Sequence, residues 1–148
     1  MNTTASRRPL LVIEDSDLDY DILEMCLRNV GVSNRIDRCA TGDEIESYLE
    51  RVGTDFEVPI FVFLDLNLPG ADGHLVLKQL KSSAALSVIP VVVLTTSSRP
   101  KDIEQSYKTG AAGFLTKPID VNKFETMVQQ VADYWFSCVR LPEKFELA

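Results

Sequence analysis

Ile60-Phe61-Val62-Phe63-Leu64-Asp65 is apolar at every position up to a terminal carboxylate. A strand without a polar face needs cover on both sides, so this run predicts a central strand of a parallel sheet. Three other apolar runs also end on residues fit for phosphate or metal chemistry. Leu10-Leu11-Val12-Ile13 runs into Glu14-Asp15, Val91-Val92-Val93-Leu94 into Thr95-Thr96, and Phe114-Leu115-Thr116 into Lys117-Pro118. If the four are parallel strands of one sheet, their carboxyl ends converge at the edge where open α/β sheets bind ligands.

Outward from these runs, short Val/Ile/Leu/Phe segments alternate with longer segments of helical period, five times over, as βαβ units do. The first strand is read over residues 9–14. Ser16 then caps a helix with Leu18, Ile22, Met25 and Cys26 on one face and Gly31 as its stop. Residues 35–39, the most polar of the strands, suit a sheet edge. Thr41 and Glu44 form a capping box for a helix to about residue 52. Leu75, Leu77 and Leu80 carry the third helix, Arg99-Pro100 opens a fourth that stops at Gly110, and residues 113–116 form a short fifth strand. Asp120 caps a last helix to about residue 138, with Val121, Phe124, Val128, Val131 and Trp135 facing the sheet and Met127, Tyr134, Phe136 and Val139 beyond that stripe.

The 148 residues, 45% hydrophobic and 25% charged, suit one domain with one core. A net charge of -7 without a local Lys/Arg cluster argues against nucleic-acid binding. No apolar stretch approaches the roughly 18 to 20 residues that span a bilayer, and residues 1–6 lack a signal peptide's apolar segment, which points to the cytoplasm and away from a membrane. Cys26, Cys39 and Cys138, each in an apolar context, read as reduced packing thiols. His74 is the single histidine, so a multi-histidine metal site is excluded.

The strand-end residues share one chemistry. A carboxylate such as Asp65 can accept a phosphoryl group, provided the anionic donor is screened. Glu14, Asp15 and Asp65 offer the oxygen ligands that Mg²⁺ takes, and a backbone carbonyl at Asn67 can add one more. Lys117 supplies a compact positive charge for Asp65 or its phosphoryl oxygens, Thr95 a hydroxyl donor, and Pro118 a backbone constraint expected as a cis peptide bond. Taken singly, each has a bland explanation: Asp65 as a helix cap, Thr95 as a strand threonine, Lys117 as a solvated loop residue, Glu14-Asp15 as a turn. Their joint placement at the ends of four strands favours a site.

The segments Val12-Ile13-Glu14-Asp15-Ser16, Leu64 through Gly73, Val93-Leu94-Thr95 and Phe114-Leu115-Thr116-Lys117-Pro118 resemble the receiver domains of two-component response regulators. The resemblance implies a flavodoxin-like (βα)5 fold with sheet order 2-1-3-4-5, a receiver domain over residues 9–139, and tails at 1–8 and 140–148 without an effector domain. It implies that Asp65 is the phosphoacceptor, Glu14 and Asp15 the Mg²⁺-binding pair, Thr95 the switch hydroxyl, Lys117 the site lysine and Phe114 the switch aromatic, with a histidine kinase as phosphoryl donor. Thr96 departs from the small residue usual after the switch threonine; it either crowds the site or points to the opposite face. Thr95-Thr96-Ser97, Lys101-Asp102-Ile103, Tyr134-Trp135 and Leu141-Pro142 resemble the single-domain regulators paired with bacterial and cyanobacterial phytochromes. From the surplus apolar residues of the last helix, and in line with those relatives, a homodimer through the fourth helix, fifth strand and fifth helix is expected.

Two rival functions compete with this one. An aspartyl-phosphate phosphatase of the haloacid-dehalogenase type would need a second acid where Asn67 stands. A receiver-like binding module without phosphorylation would have no use for the complete set of acids, threonine and lysine.

Overall fold

The apolar runs pair as parallel strands in a computed structural model that describes residues 8–142. The strands are β1 (Leu10–Ile13), β2 (Ile36–Cys39), β3 (Phe61–Leu64), β4 (Val91–Thr95) and β5 (Gly113–Thr116), in the spatial order β2-β1-β3-β4-β5. β1, β3 and β4 are buried at every position, whereas β2 and β5, the two edges, are mostly half-buried. This is the flavodoxin-like sheet order expected, and the polar β2 takes the edge for the reason given by its composition.

Side chains alternate across the sheet, so each strand feeds two cores. On one face Leu11, Ile13, Val62, Leu64, Val91 and Val93 pack with Ile45 and Tyr48 of α2 (Gly42–Arg51) and Val76, Leu77 and Leu80 of α3 (Gly73–Ser82). On the other, Leu10, Val12, Phe61, Phe63, Val92 and Leu94 meet α1 (Asp17–Asn29) and α5 (Val121–Ala132). The remaining helix, α4 (Pro100–Thr109), is seated lightly, with Ser106 as its one buried residue. Capping follows the sequence. The side chains of Ser16, Thr41, Asp72 and Asp120 accept hydrogen bonds from the first-turn amides of their helices, Pro100 opens α4, and Gly110 closes it in the left-handed region.

Three helix readings are corrected. In α1 the sheet-facing residues are Leu23, Cys26 and Leu27, while Leu18 is 68% exposed and Met25 also lies open. In α3, Leu75 is exposed and Val76 takes the core position. The last helix is α-helical only to Ala132 and continues as a π turn over Asp133–Cys138, where the Val139 amide donates to Tyr134 O at 3.0 Å. The wider turn rotates Trp135 and Phe136 onto Phe61, with ring centroids 5.4 and 5.3 Å away. Phe136 and Met127 therefore cover the core, Tyr134 stays exposed, and Val121 at the other end is also open. Cys26 and Cys39 are buried as expected; Cys138, in the π turn, is exposed.

Candidate functional site

Register brings the strand-end residues together. Ile13 lies opposite Leu64, Leu64 opposite Val93, and Thr95 opposite Thr116, so the residues that follow emerge side by side at one sheet edge. One carboxylate oxygen each from Glu14, Asp15 and Asp65 lie within 4.8 Å of one another. Glu14 and Asp65 are buried and Asp15 is half-buried.

Lys117 closes the cluster from β5. Its Nζ stands 2.5 Å from Glu14 Oε1, 2.8 Å from Asp65 Oδ2 and 2.8 Å from Asp19 Oδ2, with the side chain 8% exposed. The three donors of an ammonium are thereby matched to three carboxylates. The Lys117–Pro118 bond, expected to be cis, is trans, as is every peptide bond among the described residues. The lysine is aimed instead by the β4–β5 ladder, its own N–H donating to Thr95 O at 2.7 Å.

The other oxygens are tethered from the backbone. Asp65 Oδ1 accepts from the Asn67 N–H at 2.9 Å, and Glu14 Oε2 accepts from the Ser16 N–H at 3.2 Å. Asn67 then spans the cleft, its Nδ2 donating to Thr95 Oγ1 at 3.2 Å and to Thr96 Oγ1 at 2.9 Å. Thr96 is thus at the mouth of the site with its hydroxyl engaged, and the alternative of an opposite-face orientation is set aside. Thr95 is fully buried, and Phe114, two residues before Thr116 on β5, packs half-buried against the α2/α3 core.

Two residues of this site were not foreseen. Asp19 reaches Lys117 from the first turn of α1; the signal available was the density of acid in Glu14-Asp15-Ser16-Asp17-Leu18-Asp19. Arg38 of β2 pins the loop that carries the acidic pair, donating to Glu14 O at 3.1 Å and Asp15 O at 3.3 Å while pairing with Asp17 at 2.8 Å. A lone basic residue on an edge strand gave no such hint.

Charge in the cleft is unbalanced, with four acids around one lysine. Burial pushes Glu14 up to about 7; the Lys117 hydrogen bond opposes this and the Asp65 charge adds to it. Burial also acts to lower Lys117, but its bonds to Asp19, Asp65 and Glu14 outweigh that and hold it above its ordinary value, so it stays an ammonium. The surplus of negative charge, on hard oxygen donors only, fits a small divalent cation such as Mg²⁺ or Mn²⁺ and is unsuited to a softer, thiolate-seeking metal.

With this geometry in view, residues 10–129 match the response regulator receiver domain. The chain belongs to that family. Proteins similar to it include the probable methanogenesis regulatory protein FilR2 of Methanothrix harundinacea, 34% identical over 90% of this chain and 86% of FilR2. Response regulator Rcp1 of Synechocystis sp. is 33% identical over 90% of this chain and 92% of its own length. Among solved structures, the phosphorylated cyanobacterial phytochrome response regulator RcpA superposes with a TM-score of 0.84 at 32% identity, over 92% of this receiver and 99% of RcpA. An Mn²⁺-bound form of Rcp1 superposes with a TM-score of 0.81 over 91% of this receiver and 99% of that chain. No described helix of the receiver is long and apolar enough to cross a membrane.

Proposed function

We propose that this receiver takes a phosphoryl group from a histidine kinase onto Asp65, in a Mg²⁺-dependent reaction, and signals by protein contacts in the cytoplasm. The observation that carries this is the Lys117 ammonium 2.8 Å from Asp65 Oδ2, inside a cleft whose acids otherwise have too little compensating charge. A carboxylate with a fixed cation partner and one oxygen oriented by a backbone N–H is prepared for in-line attack.

In the reaction an oxygen of Asp65 bonds to phosphorus as the P–N bond to the donor imidazole breaks, the electron pair leaving with the ring nitrogen. Asn67 N–H holds the carboxylate in place, and Lys117 exchanges its contact with Asp65 for one with the new phosphoryl oxygens. Glu14, Asp15, Asp65 and the Asn67 backbone carbonyl would hold Mg²⁺, which neutralises charge on the incoming group. The Thr95 hydroxyl, now accepting from Asn67, turns to donate to the phosphoryl group, and Phe114, opposite Val93 on the neighbouring strand β5, follows that change.

The likeness to RcpA, a phytochrome response regulator, supports a phytochrome-type kinase as donor. A homodimer through α4, β5 and α5 is supported by the edge position of β5 and by exposed Tyr107, Ile119, Val121 and Tyr134. Incubation with acetyl phosphate and Mg²⁺ followed by intact-mass measurement tests the main reading: wild type gains one phosphate and Asp65→Asn gains none. An unmodified wild type overturns it. Light scattering at tens of micromolar tests the dimer, which a monomer with and without phosphate would remove.

A further inference from the structure

Beside the acidic cleft lies a second polar cluster that the phosphoryl chemistry does not use. His74 Nε2, at the start of α3, is 2.9 Å from Asp102 Oδ1 in the first turn of α4, and both side chains are nearly buried, at 16% and 15% exposure. The other oxygen, Asp102 Oδ2, accepts from Ser97 Oγ at 2.6 Å and from Arg99 Nε at 3.0 Å. Ser97 is in turn two residues from Thr95, and its N–H approaches Thr95 Oγ1 at 3.4 Å, while its carbonyl accepts from Thr116 Oγ1 at 3.2 Å. A continuous set of bonds thus runs from α3 through α4 and the β4–α4 loop to the hydroxyl that must move.

We propose that the His74–Asp102 pair is a latch, positioning the β4–α4 loop and Thr95 in their unphosphorylated arrangement and so setting how readily the receiver switches. Resting on the phosphoacceptor reading above, the latch adds a regulatory pair to it.

Three observations carry the inference. First, α4 has little apolar seating, only Ser106 being buried, and its N-cap Arg99 makes no side-chain capping bond. Its first turn is therefore held mainly by the polar contacts of Asp102, whose backbone carbonyl also accepts from Ser106 Oγ at 2.7 Å. Second, Asp102 is kept well below the usual carboxylate range by the Ser97 and His74 hydrogen bonds and so accepts only. His74 must then donate through Nε2, and its other ring nitrogen, Nδ1, is buried without a partner. An unsatisfied buried nitrogen is a standing cost that packing alone does not explain. Third, Ser97 is bonded both to the latch and to the neighbourhood of Thr95, so displacement of Thr95 toward a phosphoryl group pulls on the Ser97–Asp102 bond. By population shift, a contact made in the resting arrangement and strained in the phosphorylated one opposes switching.

The test compares wild type, His74→Leu, His74→Gln and Ser97→Ala in acetyl phosphate and Mg²⁺. Two quantities are read: the phosphorylation rate by intact mass, and amide hydrogen exchange over residues 97–103 without phosphate. His74→Leu is expected to phosphorylate about tenfold faster, the factor that follows from losing one charge-assisted hydrogen bond in the resting state. Its exchange over residues 97–103 is expected to rise. Gln can donate to Asp102, so His74→Gln stays near wild type in both. Ser97→Ala cuts the same chain from the other end at a loop position and is expected to match His74→Leu, which covers a failure of that variant to fold. A wild-type phosphorylation rate in both His74→Leu and Ser97→Ala, even with faster exchange, reduces the pair to a structural contact and overturns the latch. A wild type that takes no phosphate overturns the phosphoacceptor reading instead, and the latch as its regulator with it.

Discussion

Lys117 Nζ and Asp65 Oδ2 meet at 2.8 Å across 52 residues of chain, and the same nitrogen also holds Glu14 and Asp19. The ammonium thus offsets charge for three carboxylates at once. Removing one partner of a buried ion pair leaves the others uncompensated, which costs about 3 kcal/mol or more in a dry site. In Lys117→Met the loss should be about 1–3 kcal/mol, because Asp19, one of the three partners, is only half-buried and keeps contact with water. Urea unfolding measures it, and millimolar Mg²⁺ should restore part of the loss by supplying charge to Glu14, Asp15 and Asp65. A variant equally stable with and without Mg²⁺ would show that the three acids do not share a cation.

The upward displacement of Glu14 makes a pH prediction with a definite sign. Unfolded, Glu14 titrates near 4.5; folded, near 7, because burial disfavours its charge. Between those values the native state binds the extra proton, so this group's contribution to stability is complete below about 4.5 and is lost as pH rises to about 7. Glu14→Gln removes the ionisation and should flatten that part of the stability curve, with the largest relative gain above pH 7. Mg²⁺ needs the charged carboxylate, so wild-type Mg²⁺ affinity should rise from pH 6 to pH 8. Chemical denaturation and calorimetric titration across that range check both, and an affinity flat with pH would contradict the placement of Glu14 as a ligand.

How much of this was legible before folding depended on whether a signal was local. The central strands were, because burial on both faces leaves no polar position in Phe61-Val62-Phe63-Leu64, and with their direction fixed, Glu14, Asp15, Asp65, Thr95 and Lys117 had to share an edge. The face of α1 was not. Leu18, Ile22, Met25 and Cys26 satisfy the helical period as well as Leu23, Cys26 and Leu27 do, and only docking against α5 and the sheet selects the second stripe. The π turn at Asp133–Cys138 has no local signature that distinguishes it from an α-helix. Asp19, Arg38 and the His74–Asp102 pair act through space, over separations that no motif spans.

Gly73 meets the backbone of Leu66 closely. At this first residue of α3 the constraint is steric: a Cβ there would stand 2.4 Å from the Cα and the carbonyl oxygen of Leu66. Those are backbone atoms of the loop that presents Asn67, so the clash can be relieved only by moving α3 or that loop. Gly73→Ala should cost about 1–3 kcal/mol, as overpacking against a rigid neighbour does, and should displace the Asn67 bonds to Thr95 and Thr96. Thermal unfolding gives the first effect and slower phosphorylation by acetyl phosphate the second. A fully stable, fully active Gly73→Ala would mean the approach of α3 to Leu66 is looser than the structure shows.

The three cysteines should separate cleanly by reactivity. Cys138 is exposed on the π turn, whereas Cys26 and Cys39 are buried and burial pushes both thiols upward, Cys39 to about 12. The thiolate is the reacting species, so shielding and suppressed ionisation act in the same direction. At pH 8 a thiol-exchange reagent should label one cysteine per chain rapidly, Cys138→Ser should abolish that phase, and the other two should react only at the rate of unfolding. If the last helix were α-helical to residue 138, a different side of that turn would face the core. Rapid labelling of a second thiol in native protein, or protection of Cys138, would contradict the π turn and with it the placement of Trp135 and Phe136 against Phe61.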